Sequence, residues 1–317
     1  MDSSGTIAVL GASGLVGGAV RRALAERGGG PVLIPTHDEL DLEDGAAVHA
    51  YFDRLGPSFV FMAAAKVGGI VANSTYPADF IRRNLLMQTH VFEAAHRHGV
   101  RRLLFFGSSC IYPRDCPQPM REEHLLTGPL EATNEAYAIA KIAGVKMAQA
   151  YRQQHGVQFF SVMPTNIYGC ADNFDPRTGH VIPGMIARMV AASRAGAEQF
   201  EVWGSGSPRR EFLHCDDLAS AAVLLMEMAE APPGIVNVGT GQDLTIRELA
   251  VQIASLVGFG GRLVFNEDYP DGAPRKLLDI GRITALGWRP RIRLADGLAQ
   301  VVDHYVRNVA PGADSRA

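Results

Sequence analysis

Short apolar runs alternate with longer amphipathic stretches through the first half of the chain. Ile7–Leu10 is apolar at every position, and Leu15–Arg27 carries apolar residues at helical spacing. The same alternation predicts strands over 32–35, 59–63, 103–106 and 158–163. Between them it predicts helices over 46–55, 84–98 and 137–155. Strands that are apolar on both faces need cover on both faces. Joined by helices, they predict a parallel sheet with helices packed above and below.

After Pro164 the texture changes. Gly and Pro become frequent, and short helices and loops are expected to mix. A second lobe is expected from about Gly169, dividing the chain into 1–168 and 169–317. Two pieces near 214–240 look like returns to the first lobe, a helix over 216–228 and a strand over Ile235–Val238. Residues 245–257 read as a helix, with Thr245 as N-cap and Glu248 completing a capping box. The last eight residues, APGADSRA, are small and polar and are expected to fray. No internal repeat is evident.

Of 317 residues, 47% are hydrophobic and 20% charged, which is enough apolar material for a large core. The formal net charge of -3 and the lack of a basic run argue against nucleic acid as partner. No apolar stretch is long enough to span a bilayer. The N-terminus runs directly towards a strand without an export signal, so a cytoplasmic location is expected. The four cysteines, Cys110, Cys116, Cys170 and Cys215, form no CxxC pair and no zinc-like spacing, so no metal is expected. Each thiol is then packing or chemistry, and packing is the ordinary outcome.

The first strand turns into GASGLVGG, which places Gly11, Gly14 and Gly17 in a G-x-x-G-x-x-G pattern. Glycines here let backbone approach a pyrophosphate, and the next helix aims its N-terminus at the negative charge. A glycine triplet alone is weak. One that follows a strand and opens a helix points to dinucleotide binding and a Rossmann-like, doubly wound α/β sheet with a smaller C-terminal substrate-binding lobe. Tyr137 and Lys141 in YAIAK stand four apart, on one helical face. An ammonium beside a phenol favours the phenolate, and such a tyrosine can exchange a proton with a carbonyl or alcohol. Ser108 ends the fourth predicted strand.

This glycine spacing, with Ser108 and the YxxxK pair, resembles the extended short-chain dehydrogenase/reductase family. The resemblance implies that Ser108 bonds the substrate oxygen, Tyr137 supplies the proton, and Lys141 holds the nicotinamide ribose and tunes Tyr137. A nicotinamide would carry the hydride. It also implies a cofactor site formed by Gly11, Ala12, Ser13, Gly14, Leu15, Val16, Gly17, the adenine-side pair Asp41 and Leu42, and Gly107, Lys141, Pro164, Asn166 and His180, with Lys66 and Asn84 as further candidates. NADP(H) is the cofactor the resemblance favours, with NAD(H) possible. Relatives that use NADPH often carry arginine in the glycine turn and near the end of the second strand, where this chain has Ser13, Pro35 and His37. A weaker NADPH preference than usual is therefore expected.

Longer strings, among them AAAKVGGIVAN, GSSCIYP, TNEAYAIAKIAG, MPTNIYG, HVIPGMI and PRREFLH, resemble one branch of that family. Its members epimerise GDP-4-keto-6-deoxy-D-mannose at C3 and C5 and reduce the 4-keto group to give GDP-L-fucose. Carbons flanking a ketone have acidic C–H bonds, and inverting them needs a base on one face and an acid on the other. By resemblance Cys110 is the base and His180 the acid. Singly, either residue is more often structural; together, in these strings, they suit the chemistry. The resemblance also implies substrate contacts from Asn166, Arg188, Trp203, Arg210, Asp271 and Lys276, and a homodimer through the helices over 84–98 and 137–155. Cys170 and Ala171 depart from the family pattern, which has proline at the former. Cys116, Cys170 and Cys215 are expected to pack. An epimerase/reductase on another nucleotide-4-keto-deoxysugar, such as a colitose-type enzyme inverting C5 only, would use the same residues. A nucleotide-binding regulator without chemistry would be expected to lose Tyr137 or Lys141, and this chain keeps both.

Overall fold

The structure, a computed structural model, describes residue 1 and residues 5–232 and 234–310; for residues 70 and 71 only the backbone is described. In chain order the first elements are β1 (Ile7–Leu10), α1 (Leu15–Arg27), β2 (Val32–Leu33), α2 (Gly45–Leu55), β3 (Phe59–Met62), α3 (Ile70–Thr75), α4 (Pro77–Arg97), β4 (Arg102–Phe106), α5 (Glu135–His155) and β5 (Gln158–Pro164). Then come β6 (Asn166–Tyr168), α6 (Val181–Arg194), β7 (Gln199–Trp203), β8 (Arg209–His214), α7 (Cys215–Glu227) and β9 (Ile235–Val238). The chain ends through β10 (Asp243–Thr245), α8 (Ile246–Val257), β11 (Arg262–Asn266), β12 (Arg275–Lys276), α9 (Gly281–Ala285) and α10 (Leu294–His304).

The main sheet has the order β2-β1-β3-β4-β5-β9, with every pair parallel. Successive residues of each strand point to opposite faces, so both faces carry apolar side chains. Ala8 and Leu10 join the core beneath α2, α4 and α5, with Phe52, Phe92 and Val145. Ile7 and Val9 join the opposite core beneath α1 and α7, with Val20 and Leu218. The chain leaves β1 towards β2 and returns on the other side for β3. The order reverses there, and the crevice this opens at the carboxyl ends of the strands is where such sheets bind ligands.

Several boundaries move from expectation. β2 stops at Leu33 rather than residue 35, because Pro35 brings no amide to this edge strand and Ile34 is exposed. α4 begins at Pro77, not residue 84. Proline in the first turn and Asp79 beside it are helix-start signals within a stretch whose polarity reads as loop. The second half holds more strands than expected. β8 pairs with β6 and β12 in parallel and with β10 in antiparallel fashion, and β7 pairs with β11. β10 and β12 are too short to display a period. A third core, with Tyr168, Met185, Phe212, Leu249 and Val301, lies between β6, β8, α6, α8 and α10.

The box at α8 forms as expected: Thr245 Oγ1 accepts from Glu248 N at 3.0 Å, and Glu248 Oε2 accepts from Thr245 N at 2.7 Å. Of the terminal stretch, Ala310 is buried and donates its amide to Tyr305 O at 2.8 Å, so it does not fray. Residues 311–317 lie outside the described residues. No helix among the described residues is long and apolar enough to cross a membrane.

Glu211 ties this second half together. It is fully buried in β8, and its carboxylate accepts from Thr240 N, Gly241 N and Leu278 N at 2.6, 2.7 and 3.0 Å. Those bonds fix β12 beside β8, and the parallel register sets Lys276 opposite Arg210. Two cations separated by 66 positions are thereby brought to one side of the crevice.

Candidate active site

A cleft of about 890 Å3 runs across the carboxyl ends of β1, β3, β4 and β5 and is roofed by residues from the second half. The glycine turn forms one end. Gly11 has φ +87°, and a Cβ there would sit 2.7 Å from Ala64 N at the end of β3. A Cβ on Gly17 would lie 2.1 Å from Gly11 O. The turn is thus a cradle held at backbone contact distance, and Gly14 caps α1 with no side chain in the way. Amides at a helix N-terminus with open space before them suit a pyrophosphate. Ser13, Leu15 and Val16 line the same cleft, as do Asp41, Leu42, Lys66, Gly107 and Pro164.

Two expected cofactor residues stand elsewhere. Ala12 packs against the core beneath α1 and α7 and does not line the cleft. Asn84 is buried behind the wall. Its Oδ1 accepts from Lys66 N at 2.9 Å, and its Nδ2 donates to Lys66 O at 3.0 Å and Phe80 O at 2.7 Å. It clamps the Lys66 loop in place and does not face a ligand. At the corner beyond β2, Pro35, Thr36 and His37 line the cleft with Ser13. Arg83 reaches the same corner and is paired with Glu43.

Past β4 the chain makes a short 3-10 turn, and Ser108 caps it by accepting from Cys110 N at 3.2 Å. That cap turns the Cys110 side chain into the cleft beside Ser108. Tyr137 and Lys141 face the same space from α5. Lys141 Nζ donates to Phe106 O at 2.8 Å and lies 5.8 Å from the Tyr137 ring centre. Burial pushes Lys141 down to about 7. Burial pushes the Tyr137 phenol up, the charge of Cys110 pushes it further, and a hydrogen bond with Ser108 opposes both. Burial is the largest influence on the phenol, and it opposes the phenolate that a nearby ammonium favours.

Cys110 Sγ accepts from Asn134 Nδ2 at 3.3 Å, and Lys276 Nζ is 3.8 Å away. His180, the N-cap residue of α6, has Nδ1 3.4 Å from Asp172 Oδ1. Hydrogen bonding with Asp172 raises the His180 pKa, against a lowering by burial. Asn166 donates to Glu211 O at 2.8 Å. Farther along, Arg188 lies 4.1 Å over Trp203, and Trp203 stacks on Tyr269 at 4.8 Å and 13°. Arg210 donates to Asp271 O at 3.1 Å, while the Asp271 carboxylate accepts from Ser205 N at 2.9 Å and Ser205 Oγ at 2.7 Å.

One cleft therefore collects Ser108, Cys110, Tyr137, Lys141, Asn166 and His180 with Arg188, Trp203, Arg210, Asp271 and Lys276. Sequence reasoning passed over Asn134, Asp172 and Tyr269, which line it too. Asn134 was visible as a cap-type residue just before the helix bearing Tyr137. Asp172 and Tyr269 sit in loops, where no periodicity marks them. Among the other thiols, Cys116 and Cys215 are buried in cores, and burial raises the pKa of Cys116 and Cys170 and pushes Cys215 up to about 12.

The model of the NAD dependent epimerase/dehydratase family matches residues 7–239. The chain is 53% identical over 308 residues to GDP-L-fucose synthase 1 of Arabidopsis thaliana, covering 97% of this chain and 95% of that one. It is 50% identical over 308 residues to GDP-L-fucose synthase of Escherichia coli (strain K12), covering 95% and 96%. Among solved structures, a GDP-L-fucose synthetase from Naegleria fowleri bound to NADP superposes with a TM-score of 0.88 at 26% identity, covering 98% of this chain and 97% of that one.

Proposed function

The chain belongs to the NAD dependent epimerase/dehydratase family, and we infer that it epimerises GDP-4-keto-6-deoxy-D-mannose at C3 and C5 and then reduces the 4-keto group, giving GDP-L-fucose. The observation that carries this reading is the single cleft holding a thiol, an imidazole, a phenol and a serine hydroxyl around one space. A simple ketone reductase needs the last two. The thiol and imidazole add a base and an acid.

In this reading Ser108 and Tyr137 donate hydrogen bonds to the C4 oxygen. That polarises the ketone and steadies the enolate formed when a flanking C–H is broken. Cys110 removes that proton, and His180 returns one to the opposite face. Repeating the exchange at the second carbon completes the inversion. Tyr137 then gives its proton to the C4 oxygen during reduction. NADPH, when bound, supplies the hydride for that step. The glycine cradle, Asp41, Leu42 and Lys141 would hold it, with residues 1–168 and the returns near 214–240 as the cofactor portion. Residues 169–317 would hold the nucleotide-sugar: Arg188, Arg210 and Lys276 as cations for its diphosphate, Trp203 and Asp271 towards the base or sugar.

NADP(H) is the cofactor favoured here, with NADH as a usable substitute, because Ser13 and His37 stand at the corner where a 2′-phosphate would seek arginine. A homodimer through α4 and α5 completes the reading, and exposed Ile139 on α5 supports it. Light scattering of the purified protein tests that point; a monomer at working concentration would remove it.

The direct test incubates the protein with GDP-4-keto-6-deoxy-D-mannose in deuterated water. Without NADPH, deuterium is expected at both C3 and C5. With NADPH, GDP-L-fucose is expected. Exchange at C5 alone would move the chain to a C5-only epimerase/reductase, and no exchange would end the epimerase reading.

A further inference from the structure

Two opposing influences act on the charged form of His180. It is the N-cap residue of α6, so the positive end of a fourteen-residue helix faces it. The proposed reaction nevertheless asks it to carry and deliver a proton. Beside it lies the Asp172 side chain, only 4% exposed, whereas the His180 side chain is 43% exposed towards the cleft. Asp172 Oδ1 lies 3.4 Å from His180 Nδ1 and also accepts from Asn173 N at 2.8 Å. Its other oxygen, Oδ2, is buried and has no hydrogen-bond partner among the described residues. A carboxylate held this deep is costly unless a cation stands next to it.

The loop between these two residues is built to hold them in register. Asn173 Oδ1 accepts from Asp175 N at 3.0 Å, and Asn173 Nδ2 donates to Thr178 Oγ1 at 3.1 Å. Asp175 Oδ1 accepts from Arg177 N at 2.9 Å and Thr178 N at 2.7 Å. Gly179 closes the loop: a Cβ there would lie 2.3 Å from Asn173 O and 2.8 Å from Asp175 O. The neighbouring charges are otherwise committed or distant. The Asp175 carboxylate is spent on loop amides, and on α6 the next cation, Arg188, lies over Trp203. Across the cleft Lys66 sits over Phe80. Arg177 lines the cleft, and its charge favours the Asp175 carboxylate.

We propose that Asp172 is the positioning residue for His180: its buried carboxylate takes the Nδ1 hydrogen bond, fixes the ring, and turns Nε2 into the cleft as the proton-delivering atom. This rests on reading His180 as the acid of the epimerase. The balance is simple. Cys110 takes a proton as a substrate C–H bond breaks and an S–H bond forms. On the opposite face the Nε2–H bond breaks and a new C–H bond forms, leaving a neutral ring with its remaining proton on Nδ1, shared with Asp172. Solvent re-protonates Nε2 and accepts the proton from the thiol before the next inversion.

The test labels the histidines of the whole protein with 13C and 15N, and assigns His180 by its loss in His180→Gln. In the wild type, the neutral ring should carry its proton on Nδ1; a neutral ring protonated on Nε2 overturns the proposal and needs no variant. In Asp172→Asn, which is isosteric, the His180 titration should move to lower pH; an unchanged titration overturns it. Asp172→Asn should also slow deuterium incorporation at C3 and C5 by about 10- to 100-fold with little change in substrate KM. Because the titration uses no substrate, the two readings fail separately. A shifted titration with unaltered exchange in both Asp172→Asn and His180→Gln keeps Asp172 as the ring's partner and removes His180 as the acid.

Discussion

Lys276 Nζ lies 3.8 Å from Cys110 Sγ, although the two residues are 166 positions apart. The contact exists because Ser108 caps the turn after β4 and Glu211 pins β12 to β8, so a thiol and a cation meet in the cleft. A cation at that distance attracts a thiolate, and also the diphosphate expected nearby. Lys276→Met should therefore slow deuterium incorporation at C3 and C5 by about tenfold, and slow alkylation of Cys110 by iodoacetamide by a similar factor in the absence of substrate. If only KM for the GDP-sugar rises and alkylation is unchanged, Lys276 serves the diphosphate alone.

Cys110 and Tyr137 face one cleft but should fail in different ways. Cys110→Ala is expected to abolish exchange at C3 and C5 while NADPH binding, followed by fluorescence, stays intact. Tyr137→Phe is expected to keep exchange, slowed by the loss of one donor to the enolate oxygen, and to lose hydride transfer by about two to four orders of magnitude. Equal exchange in Cys110→Ala and the wild type would take the thiol out of the mechanism.

The parts of the molecule legible in the sequence are those with a strong local period or local chemistry. β1, β4 and α5 show in the apolar pattern, and the Thr245 and Glu248 box is a three-residue rule that the structure reproduces. The pairs that shape the site are not local. Cys110 with Lys276, and Glu211 with Leu278, depend on sheet register, which short strands such as β12 do not advertise. Asn84 reads in the sequence as a cofactor-side residue, but it lies behind the cleft wall. Only the fold shows that its amide grips the Lys66 backbone from behind. Lys141 and Tyr137 were legible as a pair, while the direction of their pKa shifts depends on burial.

The corner beyond β2 is expected to set cofactor choice. Ser13 and His37 line it, and Arg83 there is already engaged by Glu43. A 2′-phosphate therefore meets less fixed positive charge than an arginine pair would supply. Steady-state kcat/KM should favour NADPH over NADH by far less than several hundredfold, and the double variant Ser13→Arg with His37→Arg should raise that ratio by about tenfold or more. A wild-type preference on the order of several hundredfold would show that another group reads the phosphate.

Lys141 is expected to give a pH-dependent signature of cofactor binding. Burial lowers its pKa from the ordinary 10.5 of a lysine to about 7. Between those two values the unfolded chain binds more protons at this site than the folded one, so this lysine's contribution to stability improves as pH rises through the window and worsens as it falls. A bound dinucleotide brings negative charge and hydroxyl partners, which favour the ammonium. At about pH 8 the folded, ligand-free protein holds this amine mostly neutral, so cofactor binding should take up as much as about one proton. Calorimetry of NADP binding in buffers of different ionisation enthalpy measures that uptake. Lys141→Arg, permanently charged, should still bind but without it. Uptake of the same size in the arginine variant would assign the proton to another group.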